Sequence, residues 1–189
     1  MKKLFILILL VFSSVISLSA VTMTSVGADV AYSTISGNVE MGIFTKTTAG
    51  GSISGGKSSL GLATRSDITF SLPKAEYLSV GAIVGIGGDY WINDRSAINF
   101  TLGPSVFISS RIKDDDNYPI GVGGGVDLSY SFYFDDWKSM AVETGMVNYF
   151  IASIYESRDT EFNYYGSFYF SMIFRFGDSS PAYLPYYYY

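Results

Sequence analysis

The residues with the means to do chemistry are few. Histidine and cysteine are both absent from the 189 residues, which removes histidine general bases, cysteine nucleophiles, most zinc and redox chemistry and any disulfide framework. What remains is a scattered set of charges: Asp29, Glu40, Lys46, Arg65, Asp67, Asp89, Asp127, Glu143 and Arg175. A carboxylate-only enzyme would need two of these as acid and base. Asp89 and Glu143 are the candidates, but no spacing supports the pairing, and the chain reads as non-enzymatic. No cofactor is called for. Gly81, Gly85, Gly87, Gly121, Gly123 and Gly125 resemble phosphate-loop glycines only superficially. They repeat at period two and lack the lysine and helix that would follow. Asp114, Asp115 and Asp116 invite a calcium reading, yet Pro119 stands where an EF-hand loop needs glycine. The formal charge of −5 would repel a phosphate backbone, so nucleic acid is excluded as a partner.

The elements that carry these charges are strands. From Ile120 to Phe134 the even positions (Ile120, Val122, Val126, Leu128, Tyr130, Phe132, Phe134) are large and apolar, whereas the odd ones are glycine, serine, Asp127 and Tyr133. Side chains of a strand alternate between two faces, so this split predicts one apolar and one small or polar face. The same split recurs in seven other segments, giving eight predicted strands, each placing its charges on the small-residue face. Tight turns are predicted at Asn93–Arg95 and Asp135–Lys138, and longer polar links at 111–119 and 156–161, with a shorter one at 73–76. The Gly-rich piece 49–59 reads either as a continuation of strands two and three or as a flexible loop.

Two segments lie outside this pattern. Residues 1–20 carry Lys2 and Lys3, an apolar run and then small residues, the pattern of a cleavable secretory signal. A membrane anchor would need about 20 apolar residues, and serines at 13, 14, 17 and 19 argue against it. No cysteine follows to accept a lipid. At the other end, residues 178–189 form a Pro/Tyr-rich tail that Pro181 and Pro185 keep from strand or helix; it is read as resting at a lipid surface rather than binding a partner.

Eight alternating strands suit either an all-β membrane barrel, apolar outside, or a secreted soluble binder of apolar ligands, apolar inside. Volume favours the first, since an eight-stranded lumen is just wide enough to be filled by side chains and would be overfilled by Phe, Met, Leu and Ile. A water-facing exterior would also carry many Lys and Glu, which the small-residue face lacks. Aromatics fall in two groups suited to the two lipid–water interfaces. Tyr90, Trp91, Phe132, Phe134, Trp137, Phe174 and Phe176 lie near the tight turns, and Phe70, Tyr118, Phe150, Tyr155 and Tyr164 near the long links. Between them Ile120 to Phe132 spans roughly 28 Å along the barrel axis.

Strand number, alternation, alternating connections, aromatic girdles and a last strand rich in aromatics (FYFSMIFRF) together resemble the small eight-stranded outer-membrane barrels of Gram-negative bacteria, the superfamily of the OmpA transmembrane domain and the OmpX-like proteins. The resemblance covers residues 21–177. It implies an eight-stranded antiparallel up-and-down transmembrane barrel, contact with outer-membrane lipid and lipopolysaccharide, recognition of a terminal aromatic (Phe176 here) by the barrel-assembly machinery, and tight turns in the periplasm with long loops outside the cell. The implied role is envelope-structural or surface-interacting, through the loops. Asp114 to Asp116 would then lie in an external loop, near divalent ions bridging lipopolysaccharide. The charges facing the lumen are expected to form a network around Arg65 and Arg175 that plugs the barrel; the competing reading, a narrow porin-like path, would prefer cations because acids outnumber bases.

Overall fold

The computed structural model describes residues 22–53, 58–74, 76–111, 120–135, 138–154 and 160–176. The segment expected to be a secretory signal, the tail, Trp137, Tyr118, Tyr155 and the Asp114–Asp116 cluster lie outside them. Eight strands run in chain order: β1 (Thr22–Ser33), β2 (Asn38–Ile53), β3 (Ser58–Ser71), β4 (Tyr77–Asn93), β5 (Ser96–Arg111), β6 (Ile120–Tyr133), β7 (Met140–Ile154) and β8 (Glu161–Phe176). Each pairs antiparallel with its neighbours in sequence, and β1 pairs with β8 from Thr22↔Phe176 to Ser33↔Tyr165, which closes the barrel. Closure leaves no sheet edge, so every strand finds backbone partners on both sides.

The described residues of the Gly-rich piece, 49–53 and 58–59, are strand. β2 continues to Ile53 and β3 begins at Ser58, with Gly50↔Gly61 in register. A run of glycines lacks the alternation that marks a strand in sequence, yet here its place is fixed by pairing with β3, since β1 reaches only to Ala49. Pro104, with no N–H to donate, coincides with a gap in the β4–β5 ladder between Ile83↔Ser105 and Ile86↔Leu102, across which the register is unchanged; the register shifts only between Trp91 and Asn93.

Apolar side chains face outward. Val26, Ile43, Leu62, Val84, Leu102, Leu128, Met146 and Phe168 are all exposed, while their immediate neighbours in the strand are buried or, where glycine, partly buried. An apolar exterior around a polar and aromatic interior is the arrangement of a membrane barrel and the inverse of a soluble apolar-ligand binder. Glycines make the narrow interior packable. A methyl group on Gly81 would lie 3.0 Å from the Phe107 ring and 3.2 Å from Tyr149, and one on Gly125 would meet Ile83 at 2.5 Å. The large inward residues therefore occupy space left by glycine on adjacent and facing strands.

Candidate functional site

The chemistry-bearing side chains converge inside the barrel. Lys46 and Arg65 are cross-strand partners on β2 and β3, and both are buried. The Lys46 ammonium reaches across the lumen to β6, where it donates to Asp127 Oδ1 at 3.2 Å and to Ser129 at 3.2 Å, and to β7, where it donates to Glu143. Tyr169 of β8 lies a further 3.2 Å from it. The Arg65 guanidinium binds Asp67 through Nε (2.9 Å) and Nη2 (2.7 Å), and Asp127 Oδ2 through Nη1 at 2.6 Å. It lies 3.9 Å from the Phe44 ring centroid and 4.3 Å from that of Tyr169, so two aromatic faces fix its plane. Asp127 joins the two cations, one per oxygen.

Two cations face three carboxylates, an excess of one negative charge when all five are ionised. Hydroxyls supply the remaining donors. Glu143 Oε2 accepts from Ser25 at 2.7 Å and Ser171 at 2.9 Å, and Oε1 accepts from Ser129 at 2.5 Å. Tyr169 donates to Asp127 at 2.8 Å, and Tyr149 donates to Asp67. A charge removed from water needs this density of partners, because desolvation otherwise exceeds the Coulombic gain.

The other inward charges stand apart from this centre. Glu40 is buried among hydroxyls, accepting from Thr69 at 2.6 Å, Ser36 at 2.8 Å and Ser79 at 3.2 Å. Asp29 accepts from Tyr165 at 3.3 Å, and Asp89 accepts the Ser59 backbone N–H at 3.0 Å. Arg175 is half-buried near the tight turns, where its N–H bonds the Ser139 carbonyl. Asp89 and Glu143 serve separate partners, one a backbone N–H and the other the Lys46 cluster, so they do not form an acid–base pair. Among the described residues, no three carboxylates converge as metal ligands would.

The ionic centre lies between two apolar layers. Toward the long loops, Ala31, Ile83, Phe107, Val147, Tyr149, Ile151 and Tyr165 pack together, with Phe107 and Tyr165 ring centroids 4.9 Å apart. Toward the tight turns, Trp91, Ala97, Tyr133, Ala141 and Ile173 pack with Met23. Trp91 is a correction to the girdle expected from sequence. It is 7% exposed and stacks on Tyr133 at 4.9 Å. Its neighbour Tyr90 points outward, so strand alternation sends the indole in, where Ala97 and Ala141 leave room for it. Of the other girdle aromatics, Phe70, Tyr90, Phe132, Phe134, Phe150, Tyr164 and Phe176 are exposed and Phe174 is half-exposed.

Lys138 follows the β6–β7 turn with a left-handed backbone (φ 55). Its ammonium lies 3.9 Å above the Trp91 ring. Burial holds it below the ordinary lysine pKa, with the Arg175 charge acting in the same direction against Asp94 and Asp89. Ser25, Ser129, Ser171 and Phe44 are functional neighbours of the ionic centre that the sequence does not single out. Their inward parity was the visible signal; their role as donors and ring platform was not.

No protein-family model matches the chain, and no curated protein sequence does. Solved structures do match. Neisserial surface protein A aligns at TM-score 0.58 and 13% identity over 84% of this chain and 98% of that one. Ail, the attachment invasion locus protein of Yersinia pestis, aligns at 0.57 and 10% over 84% and 100%. The outer membrane protein OprG from Pseudomonas aeruginosa aligns at 0.54 and 7% over 85% and 97%. At these identities the likeness is one of fold: the chain has the closed, eight-stranded architecture of the small outer-membrane barrels.

Proposed function

We propose that this chain is a non-enzymatic integral protein of the outer membrane, delivered by the leader at residues 1–20, whose barrel is an anchor and whose loops act at the cell surface or in envelope structure. The observation that carries this reading is the filled lumen. Lys46, Arg65, Asp67, Asp127 and Glu143 are cross-linked from both walls, with a packed aromatic layer on either side. A solute path would have to break ion pairs and displace Tyr149 and Trp91, which costs more than a small loop motion supplies. Catalysis lacks the histidine on which most acyl-transfer triads depend. Fold alone assigns no function, so the loops carry what specificity the protein has.

One observation favours a second reading, a narrow cation-preferring path: carboxylates outnumber cations inside the barrel. Conductance separates the two. The full chain reconstituted in a planar bilayer is expected to stay silent at several voltages; steady cation-selective steps would overturn the anchor reading. Outer-membrane isolation, followed by gel mobility with and without boiling, tests location and barrel state together. Extraction by carbonate, or no heat-dependent shift, would count against an integral barrel.

A further inference from the structure

Asn148 is out of place. Among the described residues it is the only outward-facing side chain of the apolar band that is an amide or a charged group. It lies on β7, six positions from Val142 and six from Ile154, with Val126 and Gly166 as its cross-strand partners. Asn148 is two positions inside Phe150 of the long-link girdle, and two strand residues rise roughly 5 Å along the axis of a tilted barrel strand, so its carboxamide lies about that far within the apolar band. Tyr164 donates to its Oδ1 at 2.5 Å, with its ring lying over Gly166. That bond occupies the carbonyl oxygen, and the two N–H groups have no acceptor among the described residues.

Hydrocarbon offers no acceptor, and an unsatisfied polar group in it is costly. Thr144 on the same face escapes this cost, because its hydroxyl reaches the backbone and bonds the Tyr169 carbonyl at 3.1 Å. A partner for Asn148 must present an acceptor at the same depth. A second copy in the same orientation does so automatically, and a carboxamide is self-complementary, donating and accepting at once. We infer that the β6–β8 face is where a second copy of this chain docks, as an isologous pair joined by reciprocal Asn148 hydrogen bonds. A two-fold axis along the membrane normal through Asn148 brings Val126 of one copy beside Gly166 of the other. Gly124 on the same face has nothing within 4 Å of where its Cβ would be, so the two walls are free to approach closely, as small residues permit between membrane segments.

This inference rests on the barrel spanning a bilayer. The test uses the full chain in phosphatidylcholine vesicles. Because it has no native cysteine, Lys74→Cys in the exposed β3–β4 link gives one labelling position. Energy transfer between donor- and acceptor-labelled chains is followed as lipid dilutes protein. The expected result is transfer that saturates at two chains per complex. Asn148→Val should weaken association by about tenfold, in line with one interchain hydrogen bond pair, while Asn148→Gln retains most of it. Wild-type chains that stay monomeric at every ratio, clusters that grow without limit, or Asn148→Val chains that pair like wild type would each overturn the dimer. Heat-dependent mobility is read on every sample: its absence means the membrane reading has failed, and its presence with no pairing means that only the docking inference has.

Discussion

At the scale of single residues, Asp127 does most to hold the interior together, since it is the one carboxylate that binds both Lys46 and Arg65. Removing one member of a buried ion pair is far worse than removing both, because the survivor stays charged without a partner. Lys46→Met is therefore expected to lower stability by about 3–5 kcal/mol, measured by urea unfolding in vesicles. Lys46→Met combined with Glu143→Gln should cost less than the sum of the two single changes, and strict additivity would show that the pair does not interact. Inward parity made each of these residues visible in the sequence. Their pairing was not, because Lys46 and Glu143 are separated by 97 positions and meet only through closure of the ring. Trp91 shows the opposite failure: grouping it with Tyr90 by residue type overrode the alternation that the neighbouring residues already displayed.

At the scale of an element, β6 shows how strongly one strand face differs from the other. Leu128 is 50% exposed and Ser129 4%, although they are adjacent. Leu128→Arg should destabilise the inserted barrel by about 2–4 kcal/mol near the midplane, and Phe132→Arg, closer to the interface, by about 0–1 kcal/mol. Ser129→Arg acts differently, crowding a third cation into the centre that already holds Lys46 and Arg65. If the cost at 128 and 132 proves independent of depth in vesicles, the outward assignment of this face is wrong. The turn after β6 carries its own pH dependence. Burial alone would raise the Asp135 pKa, but the Ser139 hydroxyl at 2.5 Å and the backbone N–H groups of Ser139 and Met140 prevail and hold it below the ordinary 3.8. A carboxylate depressed in the folded state stabilises the turn fully above its unfolded pKa, and this contribution is lost as pH falls through the lower folded value. The Ser139 and Met140 amide resonances should therefore titrate with a midpoint below 3.8. In Asp135→Asn that titration should vanish; a midpoint at or above the ordinary value would mean that the turn contacts are not made in solution.

At the scale of the whole molecule, the governing fact is that the ring closes through β1 and β8. Twelve register pairs join them, from Thr22↔Phe176 to Ser33↔Tyr165, so the last strand is as necessary as any other. An open seven-stranded sheet would expose the outer edges of β1 and β7 in a medium that offers no hydrogen bonds. It would also lose Ser171 and Tyr169, which complete the donor set around Glu143 and Asp127. Among the described residues this ladder ends at Phe176, opposite Thr22. Two truncations follow from that boundary. A chain ending at Phe176 should refold in detergent with an unchanged heat-dependent gel shift. A chain ending at Gly166, cut within β8, should show no shift and should aggregate, because it keeps the apolar outer face without a closed backbone to carry it. The comparison depends on where the cut falls and not on how many residues are lost. A graded decline from one truncation to the other would mean that the barrel tolerates a partial seam, and the closure argument would fall with it.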